Sequence, residues 1–186
     1  MAALHARTLN ALGLLGCCAI LLVAFSYQFV LGELPCPLCL LQRAAFAASG
    51  LGFALSVRFG PRPSHYGVAI LSSLVGIVLA SRQVALHIVP RTGGYGSTLL
   101  GLHFYTLALI AFVALIAVVG LLLLMQDGVR PETQLAHDGG TFGKACLALF
   151  VLIVLANAAS TAAECGGGLC PDDPARYEAL DAWLKW

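Results

Sequence analysis

Residues 9–31 read LNALGLLGCCAILLVAFSYQFVL, an apolar run without a single charged side chain. A helix needs about 20 mostly apolar residues to cross a hydrocarbon core of ~30 Å, so this run is long enough to span a bilayer. Two other readings compete with a span. Arg7 supplies the positive flank of an export signal, and Leu14-Leu15-Gly16-Cys17 superficially matches a lipoprotein cleavage box. No small-residue cleavage site stands out, and the apolar run continues to Val30. An uncleaved membrane span is therefore expected.

Four further runs meet the same criterion: residues 40–57, 67–89, 99–125 and 141–163. The chain has 186 residues, of which 60% are hydrophobic and 10% charged, against roughly 25% charged in an ordinary soluble domain. That balance excludes a water-soluble globule. A net charge of +1 implies neither an acidic partner nor nucleic acid, and no internal repeat is evident. Backbone groups in lipid must be hydrogen-bonded within the chain, and the runs lack the period-2 alternation of a barrel. The expected fold is an all-α membrane protein, a bundle of about five transmembrane spans in one integral domain over residues 1–186. Residues 164–186 form a C-terminal arm.

Two cysteine pairs sit at the ends of these runs: Cys36-Pro-Leu-Cys39 and Cys165-Gly-Gly-Gly-Leu-Cys170. A C-x-x-C pair exchanges readily with other thiols, and a second pair can pass electrons to or from it. Four spans, an even number, separate the pairs, so both are expected on one side of the membrane. Five basic residues (Arg7, Arg58, Arg62, Arg130 and Lys144) fall on the opposite side and four (Arg43, Arg91, Arg176 and Lys185) on the cysteine side. The positive-inside rule then puts the N-terminus in the cytoplasm. Paired cysteines persist in oxidising compartments such as a bacterial periplasm, which gives the same sidedness. The expected location is a bacterial inner membrane, with both pairs and the C-terminus periplasmic.

Cys36 and Cys39 lie where the chain re-enters the membrane after Glu33-Leu-Pro35. The positive end of a helix dipole there favours thiolate over thiol. Arg43 follows Cys39 by one helical turn, placed to stabilise a thiolate and the charge that develops on an electron acceptor. The competing reading is an arginine snorkelling to the headgroups. Gln42 adds an uncharged donor. Arg82 falls about 10 Å below the outer end of the third run, and an arginine within a span usually faces the bundle interior with a partner. His87 and His103 sit near the outer ends of the third and fourth runs. Together these residues suggest a polar pocket open to the outer leaflet and accessible to a lipid-soluble acceptor.

Pro35-Cys-Pro-Leu-Cys-Leu-Leu-Gln-Arg43, with Ser81-Arg-Gln-Val84 and a distal cysteine pair, resembles the DsbB family, quinone-coupled membrane thiol oxidases that re-oxidise the periplasmic dithiol carrier DsbA. The resemblance implies ubiquinone or menaquinone as cofactor and a DsbA-like thioredoxin-fold partner. It implies that Cys39 sits beside the quinone, that Arg43 assists its reduction, and that Cys36 exchanges with the distal pair. Cys165 and Cys170 would take electrons from the carrier. By chain order in the family, Cys170 is expected to reach Cys36, with Cys165 exposed to the carrier. The best-known members have four spans and carry the second pair between spans three and four. Here that segment, Arg91-Thr-Gly-Gly-Tyr95, has no cysteine, and the pair lies beyond an extra, fifth span.

In the C-terminal arm, Asp173 before Pro174 reads as an N-cap with proline at the first helical position. A short interfacial helix over residues 175–186 would place Tyr177, Leu180, Trp183 and Leu184 on one face. Cys17, Cys18 and Cys146 lie within runs one and five and read as small buried hydrophobes without a redox role. Three other functions are compatible with the sequence. The four paired cysteines could bind zinc or copper, or form fixed disulfides in a channel or scaffold. A relative of vitamin K epoxide reductase would instead carry its C-x-x-C near the end of a later span.

Overall fold

The computed structural model describes residues 2–88, 93–125, 140–166 and 168–179. Five helices are long and apolar enough to cross a membrane: α1 (Ala2–Val30), α2 (Pro37–Phe59), α3 (Pro63–His87), α4 (Phe104–Leu124) and α5 (Gly140–Cys165). The buried positions of α1 (Ala11, Leu14, Cys17, Cys18, Leu21 and Gln28) recur every three or four residues, one face of a helix turned inward. The opposite faces remain apolar, as with Leu22, Leu71, Val75, Val78, Ile110 and Leu152, because the surrounding solvent is lipid.

α2 is the hub, packed on α1, α3 and α5, and α3 in turn packs on α4. Small residues let these backbones approach. Gly76 of α3 leaves the space that the Phe112 ring of α4 occupies, and Phe112 stacks on Phe46 of α2 with centroids 3.8 Å apart. Gly50 of α2 likewise faces Phe150 of α5. Ser49 and Ser73 share a buried hydrogen bond of 3.0 Å between α2 and α3. Of the neighbouring pairs around the ring α1–α2–α3–α4, α1 and α4 approach each other least.

Several boundaries differ from the hydropathy reading. α2 begins at Pro37 rather than Leu40, and α3 begins at Pro63, because proline at the first helical position needs no N–H partner. The turn between them passes through Gly60 at φ 86°, a conformation open to glycine. Residues 99–103, expected in the fourth span, instead belong to a two-stranded hairpin, β1 (Thr98–Leu99) with β2 (Leu102–His103). Leu100 and Gly101 turn it at φ 55° and 79°. α5 ends on Gly166 at φ 61°, whose N–H donates to the Ala162 carbonyl at 3.0 Å, a glycine C-cap.

The C-terminal arm departs most. Residues 174–177 are not helical, and helix begins only at Glu178, so Pro174 does not occupy a first helical turn. Tertiary anchoring outweighs the local capping signal: the Tyr177 hydroxyl accepts a hydrogen bond from Gln28 of α1 at 3.0 Å. Leu180, Trp183 and Leu184, like Val89, Arg91 and Arg130, lie outside the described residues.

Candidate functional site

The two cysteine pairs are both closed, Cys36 to Cys39 and Cys165 to Cys170. Cys36 is the N-cap of α2, and its Sγ accepts the Cys39 backbone N–H at 3.2 Å. Pro37 at the next position starts the helix without needing a partner for its nitrogen. The disulfide is thus built into the first turn of α2, at the positive end of the helix dipole.

Gln83 of α3, buried at 1% exposure, stands behind this bond. Its Nε2 lies 3.3 Å from Cys36 Sγ and 3.5 Å from Cys39 Sγ. Its Oε1 accepts from Gln42 Nε2 at 2.6 Å. Sequence reasoning singled out the neighbouring Arg82 for its charge and passed over Gln83. Arg82 is exposed on the outer face of α3, not turned into the bundle as expected. The inward face of that helix is Ala69, Ser73, Gly76, Ala80 and Gln83, and the next residue along a helix points about 100° away. Its long side chain can reach toward the headgroups from there. The signal for Gln83 was present: it continues the three-to-four residue spacing of small residues along α3.

A cavity of ≈ 390 Å³ opens between α1, α2 and α4. Cys39, Gln42, Arg43 and Phe46 line it from α2, Ile20, Ala24 and Tyr27 from α1, and Phe104, Leu107 and Ala111 from α4. Glu33, Leu34, Pro35, Tyr95, Gly96 and Leu99 close its outer end. This cover is tied together. The Glu33 carboxylate accepts from the Ser97 N–H at 3.1 Å and from the Ser97 hydroxyl, and the Tyr95 hydroxyl donates to the Leu34 carbonyl at 3.0 Å. Burial, with Asp173, Glu164 and Glu33 nearby, raises the Tyr95 phenol above its usual range. The volume and apolar lining suit a lipid-soluble ring, with a few convergent polar groups to orient it.

Arg43 is held from two sides. Its Nη1 donates to Gln28 Oε1 at 2.5 Å and its Nη2 to the Ala24 carbonyl at 3.0 Å, and the guanidinium lies 5.6 Å from the Phe25 ring centroid. Gln28 Nε2 donates onward to Ser160 Oγ of α5 at 2.7 Å. The fifth span is therefore wired to the cation at the cavity wall, a link invisible in one dimension.

His87 and His103 meet each other across Tyr105, whose ring stacks on both at 5.1 and 5.2 Å. His87 Nδ1 lies 2.8 Å from the Gln83 carbonyl. Neither histidine is among the residues lining the cavity, nor is Arg82. The distal pair ends α5, with Cys165 buried at 8% exposure and Cys170 less covered. This reverses the exposure expected from chain order, because Cys165 still belongs to the inward face of the helix with Ser160 and Glu164. Cys17, Cys18 and Cys146 are buried free thiols. Among the described residues, no group of three His, Cys, Asp or Glu side chains is placed to hold a metal ion.

Comparison with known proteins bears on the first half of the chain. The family model described as disulfide bond formation protein DsbB matches residues 6–95, a stretch that holds most of α1, all of α2 and α3, and the first cysteine pair. Proteins named disulfide bond formation protein B are similar to it. That of Xanthomonas euvesicatoria pv. vesicatoria is 41% identical over 85 residues, covering 43% of this chain and 49% of the relative. Those of Chromohalobacter salexigens and Marinobacter nauticus are 36% and 39% identical over 95 and 88 residues, covering 48% and 45% of this chain and 55% and 52% of the relatives. The chain thus matches about half the length of these curated relatives. No solved structure matches it significantly.

Proposed function

We propose, from the match of residues 6–95 to the DsbB family model and its similarity to proteins named disulfide bond formation protein B, that this protein is a membrane thiol oxidase. It takes electrons from a periplasmic DsbA-like dithiol carrier and passes them through both cysteine pairs to a membrane quinone. The observation that carries this reading is the placement of the Cys36–Cys39 bond: Cys39 lines an apolar cavity of ≈ 390 Å³ together with Arg43 and Gln42.

Electrons enter at the distal pair. A carrier thiolate attacks the more exposed sulfur, Cys170, and releases a Cys165 thiolate. The second carrier thiol then resolves the mixed disulfide, so the carrier leaves oxidised and Cys165 and Cys170 are left reduced. Cys165, on the bundle side, attacks Cys36, and Cys39 leaves as thiolate. Attack by Cys170 on that mixed bond re-forms the distal disulfide and leaves the first pair with the two electrons. The helix dipole of α2 and the Gln83 amide both favour negative charge on Cys39. The quinone would lie in the cavity with Arg43 and Gln42 as its polar contacts, and when bound it takes up two electrons and two protons as Cys36 and Cys39 rejoin. The apolar walls from α1 and α4 exclude water from that exchange.

The protein would sit in a bacterial inner membrane with its N-terminus in the cytoplasm, so that both pairs meet the periplasmic carrier. Purified protein supplied with a reduced thioredoxin-fold carrier and a short-chain quinone analogue should form quinol in proportion to thiol lost. Thiol oxidation that proceeds at the same rate without quinone would overturn the assignment.

A further inference from the structure

The fifth span places one group that the reading above leaves unused. Glu164 is fully buried at 0% exposure, and neither carboxylate oxygen has a hydrogen-bond partner among the described residues. It directly precedes Cys165 of the distal disulfide and follows Ser160 by one helical turn. Ser160 accepts from Gln28, which accepts from Arg43, so α5 carries the carboxylate one helical turn beyond the end of a hydrogen-bonded path that starts at the guanidinium lining the cavity. Arg43 is the cation that acts on Glu164.

A buried carboxylate either finds a cationic partner or takes a proton. The charged and titratable groups around this one are few. α2 contributes Arg43, and α1 contributes the uncharged Gln28. Tyr95, from the segment before β1, feels Glu164 together with Asp173 and Glu33, and Tyr177 of the C-terminal arm acts on Arg43. The other carboxylate at the cavity, Glu33, is already engaged by Ser97. Among the described residues, Glu164 is the buried carboxylate that has no hydrogen bond to either oxygen, and Arg43 is the cation that acts on it.

We propose that Glu164 is a positioning residue for acceptor binding: its carboxylate competes with a bound acceptor for the Arg43 guanidinium, so acceptor affinity depends on whether Glu164 carries a proton. The inference rests on the quinone reading above. With Glu164 ionised, part of the Arg43 charge is neutralised. With Glu164 protonated, the full cation faces the cavity. The group that makes the switch sits next to the distal disulfide, so the redox state of that pair and the affinity of the cavity share one neighbour.

The test is binding rather than turnover. Titration of the purified full-length protein with a short-chain ubiquinone analogue, between about pH 5 and about pH 9, brackets carboxylate protonation in buried sites. Wild type should bind more tightly at the acid end, on the order of fivefold, the lower end of coupling between linked sites. Glu164→Gln should bind at that tight limit across the whole range. Arg43→Ala should bind weakly and without pH dependence, with or without Glu164→Gln. Uniformly weaker binding by Glu164→Gln, or an unchanged pH dependence, overturns the inference while leaving the quinone reading intact. A wild type that binds no quinone at any pH overturns both. Should Glu164→Gln fail to fold, difference infrared spectra of the wild type decide: adding the analogue must change the protonated-carboxyl band, and Glu164→Asp must move that band. A spectrum without such a change overturns the inference.

Discussion

Gln83 of α3 reaches across to Cys36 of α2, its amide nitrogen 3.3 Å from the Cys36 sulfur and 3.5 Å from that of Cys39. The same side chain accepts from Gln42 at 2.6 Å, so one buried amide orients toward the redox bond and is itself held in place. Replacing it with leucine removes the donor and leaves Gln42 unsatisfied. Hydrogen bonds to a charged group contribute about 1.5–3 kcal/mol, so alkylation of reduced Cys39 at neutral pH should slow by about tenfold or more in Gln83→Leu. An unchanged alkylation rate would mean that the amide serves packing alone.

Cys36→Ser and Cys39→Ser should each abolish quinone-dependent thiol oxidation, because neither leaves a disulfide to regenerate. Joint replacement of the buried thiols Cys17, Cys18 and Cys146 by alanine should preserve most of the activity. Quinol formation by the purified variants measures both, and turnover in either serine variant would sink the electron route.

Arg43 donates to both Gln28 and the Ala24 carbonyl, which uses the planar, multi-donor shape of a guanidinium. Lysine keeps the charge but not the fork. Apparent quinone affinity should therefore fall in the order Arg, Lys, Ala, and an alanine variant with wild-type affinity would reduce Arg43 to a structural role.

Burial of Cys165 and the greater exposure of Cys170 predict which sulfurs meet. Removing Cys39 and Cys170 should leave a trappable cross-link between Cys36 and Cys165, as seen by non-reducing electrophoresis. A cross-link formed only when Cys170 is the residue retained would restore the order expected from the family. An impermeant thiol reagent on intact spheroplasts should label the reduced distal pair. Labelling that needs membrane lysis would place that pair in the cytoplasm.

Gly76 makes room for the Phe112 ring that also stacks on Phe46. Gly76→Leu would drive a side chain into that ring, and overpacking of this kind typically costs about 1–3 kcal/mol. Thermal unfolding in detergent should show a lower midpoint, and Phe112→Ala combined with Gly76→Leu should recover part of the loss.

Hydropathy and chain order by themselves established five spans, because crossing a bilayer is a matter of length and apolarity. They also predicted that an even number of spans separates the cysteine pairs. The placement of Cys36 and Cys39 at a helix start was legible too, since proline and a polar-to-apolar boundary mark it locally. The inward faces were not. Arg82 and Gln83 are adjacent in sequence but about 100° apart around α3, and only packing against α2 and α4 decides that glutamine turns in and arginine out. His87 and His103 were grouped correctly at one end, yet Tyr105 gathers them away from the cavity wall. The Tyr177 hydrogen bond, the burial of Cys165 and the path from Arg43 through Gln28 to Ser160 join residues more than a hundred positions apart. No local preference encodes such contacts, because they exist only once α5 has docked against α1 and α2.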